Sequence, residues 1–349
     1  MSTVRVGLRC DAGPQRGVGH LVRCLALGEE FLARGATVEV FGTVDGVGWA
    51  AGQLAARGIP LHPGPDTPDG LVEAARRHDL DVLVLDSYEL DPAGAGALRA
   101  AGVVTLAIVD GDTRGQDADL YLDQNFGTDL VAPAGRLLAG SEYALLREEV
   151  LAARPATARP ATEVDRPSML AFFGGTDAAG AAPVLTELLL ATGRPMDLTV
   201  VAGRPEMAAR LARMTPGPGQ SLRPVPPTDR LPALIAAADL VVSAAGTSTW
   251  ELCCLAAPSA LVCVVDNQRE SYHRVVAAGL VAGLGELPQL IADGTARATA
   301  IHTLDGLLGS AARRAELSTR ARSAIDGHGR TRVVDAILDA LHPHVAQVR

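Results

Sequence analysis

The sequence contains no lysine: all 31 residues of the Lys+Arg count are arginine. That absence excludes Schiff-base chemistry, pyridoxal phosphate carried on a lysine, and the Walker A phosphate loop with its usual ATP chemistry. A codon bias that also enriches alanine and arginine accounts for the deficit, so it excludes mechanisms without indicating one. Asparagine is almost as scarce, occurring only as Asn125 and Asn267, and neither begins an N-x-Ser/Thr acceptor site. Positive charge is in deficit too, 31 cationic against 40 acidic side chains and a net charge of −9, which argues against a nucleic-acid partner. No apolar run reaches the ~18–20 residues of a membrane span. Met1–Leu8 lacks the charged-then-apolar plan of a signal peptide, so a cytoplasmic protein with no membrane span is expected. The five cysteines, Cys10, Cys24, Cys253, Cys254 and Cys263, have no C-x-x-C spacing and lie in apolar segments, as reduced core residues do. No Cys/His cluster has metal-ligand spacing along the chain.

What is present is a chain of 349 residues, 48% apolar, long enough for two domains that each bury a core. Short apolar runs alternate with helical patterns. Strands are predicted at Val4–Arg9, from Val38 to Phe41, and at Val82–Leu85, Val104–Val109, Met169–Phe173, Leu198–Val201, Leu240–Ser243 and Leu261–Val265. His20–Arg34 reads as a helix with Leu21, Cys24/Leu25 and Phe31/Leu32 on one stripe, ended by Gly35. Alternation of this kind builds parallel sheets covered on both faces. It runs in two stretches divided by the proline-bearing segment Ala153–Pro167. The expected architecture is α/β: two doubly wound Rossmann-like domains, 1–153 and 168–329, facing a cleft. A linker at 154–167 joins them, and a C-terminal helix at 330–349 is placed back on the first domain. Ligands in such sheets bind beyond the carboxyl ends of the strands.

Chemistry-bearing residues are therefore sought just after strands. The segment Arg9-Cys-Asp-Ala-Gly-Pro-Gln-Arg-Gly17-Val-Gly19-His20 follows the first strand and enters the first helix. Its glycines allow close backbone approach, and the helix N-terminus offers N–H groups to an anion. Val22 stands where a dinucleotide fingerprint needs its third glycine, which disfavours a nicotinamide dehydrogenase. His20 at the loop–helix junction is a candidate base; an N-cap histidine without chemistry is the plain alternative. In Asp239-Leu-Val-Val-Ser-Ala-Ala-Gly246-Thr-Ser-Thr-Trp-Glu251, a strand leads through small residues to a helix capped by Thr247 or Ser248, another phosphate-ready turn. Glu251 is placed to accept ribose hydroxyls or, equally, to complete a capping box with Ser248. Gly174-Gly-Thr-Asp177 is a third glycine turn at a strand end, either a ligand contact or a tight connection. Asp110-Gly-Asp112 matches a D-x-D metal motif and is also ordinary turn chemistry. Tyr88 ends a strand on the side expected for His20.

Taken in this order, the segments resemble the GT-B superfamily of nucleotide-sugar enzymes. The likeness is strongest to the PseG-like UDP-sugar hydrolases and related spore-coat polysaccharide proteins, and more distant to MurG. It covers Arg9–Arg23, Leu83–Tyr88, Leu120–Asn125, Leu137–Glu148, Ala171–Asp177 and Asp239–Gln268. The resemblance implies that UDP is held by the second domain, with Gly246, Thr247 and Ser248 on the diphosphate, Glu251 on the ribose, and Asn267 and Gln268 on sugar or phosphate. Gly17, Gly19, Arg23, Gly175 and Thr176 join the nucleotide-sugar contacts. His20 is implied as the base and Tyr88 as lining the reacting centre, with inversion at the anomeric carbon and no cofactor or metal beyond the UDP-sugar. Relatives carry Asp-His-Tyr where this chain has Asp86-Ser87-Tyr88, and Asp-Asp where it has Asp110-Gly111. The expected activity is hydrolysis to UDP and free sugar. The alternative is transfer to a cell-surface glycan or a small molecule such as a pyrimidine base. A non-catalytic sugar-nucleotide binder with the same fold is a third possibility.

Overall fold

The computed structural model describes residues 3–46 and 48–347. The chain forms two compact units, one made of residues up to Glu148 together with those from Gly327 onward, the other of Glu149–Asp326.

Unit 1 runs β1 (Arg5–Cys10), α1 (Gly19–Ala33), β2 (Thr37–Phe41), α2 (Gly48–Ala56), β3 (Leu61–His62), α3 (Pro68–Arg77), β4 (Val82–Asp86), α4 (Ala93–Ala100), β5 (Val104–Ile108), β6 (Leu120–Asp123) and β7 (Arg136–Ala139). Its seven strands form one parallel sheet in the order β3-β2-β1-β4-β5-β6-β7. The chain leaves α5 (Glu148–Ala152) for unit 2: β8 (Ser168–Phe172), α6 (Ala181–Ala191), β9 (Met196–Val201), α7 (Pro205–Leu211), β10 (Gln220–Val225), α8 (Leu231–Ala237), β11 (Leu240–Ala244), α9 (Ser248–Cys254), β12 (Ser259–Cys263), α10 (Arg269–Ala277), β13 (Ala282–Glu286), α11 (Leu287–Ala292), α12 (Gly294–Leu308) and α13 (Ala311–Ala324). These six strands are also parallel, in the order β10-β9-β8-β11-β12-β13. Finally α14 (Gly329–Gln347) belongs to unit 1. Residues 153–167 contain no helix or strand.

Strands β4, β5, β11 and β12 are buried at every position, as central parallel strands with helices on both faces must be. Those are the runs that sequence alone detects. Five strands escape it: β3, β6, β7, β10 and β13. Of these, β3, β7, β10 and β13 are sheet edges, short or interrupted by Gly, Pro and charge, where one open side removes the need for an apolar run. The internal β6 spans only four residues. Helix α1 departs from its predicted single stripe. Residues Leu21 through Gly28 are all buried, because α14 covers the side turned away from the sheet and contributes Val333, Val334 and Ile337 to the same core. Leu32 lies outside that sandwich and is exposed. All five cysteines are free and buried, and burial pushes the Cys253 and Cys254 thiols up to about 12 and about 11. No helix among the described residues is long and apolar enough to cross a membrane.

Candidate active site

In each sheet the strand order reverses once, between β1 and β4 in unit 1 and between β8 and β11 in unit 2. At such a switch point neighbouring strands send their following segments to opposite faces, leaving a crevice at their carboxyl ends. The sequence-predicted residues cluster at these two places.

In unit 1, β1 is followed by a loop closed on itself by mutual Gly13–Gly17 backbone hydrogen bonds of 3.1 and 2.8 Å. Gly17 has φ +75°, a backbone state that costs other residues strain. Val18 is the N-cap of α1 and Gly19 its first residue, so His20 is not the cap; no side chain caps this helix end. His20 instead turns towards β4, with Nδ1 2.6 Å from Asp86 Oδ1, and its side chain is 19% exposed. Asp86 is fully buried and receives both Nε and Nη2 of Arg23, each at 2.6 Å. Arg23 also reaches Asp110, at 3.2 Å to each oxygen. The Tyr88 hydroxyl donates to Asp110, and the Tyr88 ring stands edge-on to His20 with centroids 4.9 Å apart. Asn125 Nδ2 completes the group, donating to Asp110 at 3.2 Å and to Asp123 at 2.8 Å.

Burial by itself raises a carboxyl pKa, but the Arg23 guanidinium outweighs it and holds Asp86 and Asp110 below the usual aspartate range. Burial and the adjacent Asp110 charge together push the Tyr88 phenol up. Asp86 is thus an anion at neutral pH, and an anion facing Nδ1 selects the tautomer with its proton on Nδ1. The other ring nitrogen, Nε2, is left with a free lone pair. The 3.3 Å approach of Arg23 Nη2 to the same Nδ1 is long beside the 2.6 Å Asp86 contact and does not alter the assignment.

Arg23, expected among the nucleotide-sugar contacts, is 4% exposed and committed to two carboxylates; it orients Asp86. Asp110 of the D-x-D pattern is occupied by Arg23, Tyr88 and Asn125, partners that compete with a metal for its lone pairs. Sequence reasoning missed Asp86 as the partner of His20. Its only signal was a carboxylate at a strand end, next to the switch point.

These depressed carboxylates make a pH prediction. A group with a lowered folded-state pKa contributes its full stability above its unfolded value, near 3.9, and loses it as pH falls below that. Unfolding midpoints measured against pH should show no loss from this pair above about pH 5 and a loss below about pH 4. That acid limb should be shallower in Asp110→Asn; identical limbs would contradict the ion-pair assignment.

In unit 2 the turns after β8 and β11 leave neighbouring strands. Gly246, Thr247 and Ser248 are half-buried, and Gln268 folds over them: a Cβ on Gly246 would stand 3.3 Å from Gln268 Nε2. Gln268 is fixed by accepting the Val264 amide at 3.1 Å. Asn267 is exposed beside it in the 3-10 turn Asp266–Gln268. Thr247 is the N-cap of α9 but its side chain makes no capping bond, which corrects the expected cap. Ser248 is the first helical residue, so Ser248 and Glu251 are one position out of capping-box register. Glu251 is 5% exposed in the first turn. Gly175 and Thr176 lie in the turn after β8, where Gly203 packs so closely that a Cβ there would meet the Thr176 carbonyl carbon at 2.6 Å. Asp177, three residues before the N-cap Gly180, accepts the Ala181 and Ala182 amides of the first turn of α6 at 2.8 and 3.0 Å. The protein's own carboxylate therefore fills the end of α6, whereas at α9 the acidic residue of the first turn is Glu251 and the N-cap Thr247 makes no side-chain capping bond.

No protein-family profile matches the chain. It is 29% identical to the UDP-N-acetylglucosamine–N-acetylmuramyl-(pentapeptide) pyrophosphoryl-undecaprenol N-acetylglucosamine transferase of Clavibacter michiganensis subsp. michiganensis, over 93% of this chain and 94% of that one. Among solved structures it resembles Acinetobacter baumannii MurG (TM-score 0.69, 17% identity, 96% of this chain and 99% of that chain). It also resembles S. aureus MnaA determined with UDP (TM-score 0.64, 12% identity, 97% of each chain). These neighbours share the pair of Rossmann-like parallel-sheet domains. The chain has the GT-B fold.

Proposed function

We propose that the chain is an inverting glycosyltransferase that uses a UDP-sugar, with His20 as the base that activates the acceptor. The observation that carries this reading is the His20–Asp86 pair at 2.6 Å, set at the switch point of unit 1 with Nε2 free to take a proton. In the proposed step, an acceptor hydroxyl or N–H gives its proton to His20 Nε2 while its heavy atom bonds to the anomeric carbon. The bond to UDP breaks on the opposite face, and the pair of electrons leaves with the diphosphate. Asp86, held by Arg23, stabilises the imidazolium that forms. Tyr88 lines the reacting centre. In unit 2, the Gly246–Ser248 turn and Gln268 receive the diphosphate with backbone and side-chain donors, Asn267 reaches sugar or phosphate, and Glu251 accepts the ribose hydroxyls. Gly17 and Gly19 of unit 1, and Gly175 and Thr176 of unit 2, are further nucleotide-sugar contacts in this reading. The donor set described here supplies hydrogen-bond stabilisation of the leaving diphosphate without drawing on the Asp110 carboxylate.

Transfer is preferred over hydrolysis to free sugar because the full-length sequence relative is a transferase. The test is UDP release from a panel of UDP-sugars, with and without candidate acceptors. Release that depends on an acceptor supports transfer; equal release without one reassigns the chain to a hydrolase. Glu251→Gln, a near-isosteric change, should weaken UDP binding about tenfold, as loss of a charged acceptor does. Unchanged affinity would return Glu251 to a purely structural role.

A further inference from the structure

At one edge of the unit 1 sheet lies a cluster that glycosyl chemistry does not use. Glu39 in β2, His62 in β3 and His78, the C-cap of α3, bring their ligating atoms within 4.8 Å of one another. His78 Nδ1 lies 2.7 Å and His62 Nε2 2.8 Å from the same oxygen, Glu39 Oε2. The two contacts are not alike. His78 forms a hydrogen bond, whereas His62 Nε2 is buried and has no hydrogen-bond partner despite its proximity. A buried ring nitrogen aimed at a shared centre without a bond is an unmet demand.

The surroundings preorganise the three groups. Phe41 is paired with His62 across the β2–β3 ladder. Its ring stacks on His62 at 5.2 Å between centroids and stands edge-on to His78 at 5.0 Å. The two imidazoles are 4.5 Å apart. All three ligand side chains are between 19% and 31% exposed, screened enough to favour coordination and open enough for entry. Two imidazole nitrogens and one carboxylate oxygen are the donor set that Zn²⁺ takes in tetrahedral sites with one open position. With Zn–ligand bonds of ~2.0–2.1 Å, tetrahedral ligand atoms stand ~3.3 Å apart, so the two contacts to Glu39, at 2.7 and 2.8 Å, need lengthen by only about half an ångström. No spacing rule shows this cluster, since its members come from three separate elements.

We propose that Glu39, His62 and His78 form a Zn²⁺ site, the fourth position taken by water, that fastens the two-residue edge strand β3 and the end of α3 to β2. Binding opens the His78–Glu39 hydrogen bond: Nδ1 presents its lone pair to the metal and the ring proton is carried on Nε2.

The test is calorimetric titration of ZnCl₂ into the chelator-treated full chain at neutral pH, for the wild type, His62→Ala and His78→Gln. One equivalent is expected to bind the wild type and to weaken at least about tenfold in each variant. At a hundredfold excess over its Kd, zinc should raise the wild-type Tm by roughly 5 °C. No zinc binding in the wild type, or affinity changed less than about tenfold in both variants, overturns the site. Should the variants fail to fold, the wild type alone decides with Co²⁺. Intense four-coordinate absorption bands support the site, and the weak bands of an octahedral aqua ion overturn it.

Discussion

Replacement of His20 by alanine is expected to lower kcat by about 10²–10⁴-fold, the contribution of a positioned acid–base group, with UDP affinity nearly unchanged. The split follows from where the residue sits. His20 belongs to unit 1, and the residues proposed to hold UDP belong to unit 2. The imidazole is also held by one strong contact, Asp86, so removing it leaves the nucleotide turns intact. Asp86→Asn tests the same assignment from the other side. An amide no longer selects the Nδ1-protonated tautomer, and turnover should fall while His20 stays in place. Near-normal turnover in His20→Ala would remove the imidazole from the mechanism and leave the chain a binder of nucleotide sugars.

Arg23→Ala should cost about 3–5 kcal/mol of stability, the usual result of deleting one member of a buried ion pair. The reason is the company Arg23 keeps. Its guanidinium neutralises Asp86, with no exposed side-chain surface, and Asp110, with 21%. Without it, the carboxylates must take up protons or remain charged and unpaired in the interior. Chemical denaturation reads the effect directly. A ligand-binding arginine would behave in the opposite way, leaving stability unchanged and weakening affinity for UDP. That outcome would restore the role the sequence alone suggests for Arg23.

The sequence reveals the parts of this molecule that physics makes loud. Central strands such as β4 and β11 are buried on both faces, so they must read as unbroken apolar runs, and the glycine turns after β1, β8 and β11 follow from them. The edge strands β3 and β10 face that demand on fewer sides and carry Leu61 at 43% exposure and a proline at Pro224. Nothing in their local pattern marks them as strands. The same limit applies to the site. His20, Tyr88, Gly246 and Gln268 sit in motifs contiguous in sequence, which is what makes them candidates on sequence alone. The Asp86–Arg23–Asp110 network depends on contacts between residues 63 and 87 positions apart, which no window along the chain can display. Glu39, His62 and His78 are silent in sequence for the same reason. Even the N-cap of α9 shows the limit: its register shifts by one residue, and that shift alone separates a capping box from a buried carboxylate.

The most direct measurement is calorimetric titration of UDP into the wild type and His20→Ala. The account predicts one UDP per chain, bound with the same affinity by both proteins. An absence of binding by either, or binding that disappears with the imidazole, would contradict a nucleotide site built by unit 2 and a base supplied separately by unit 1.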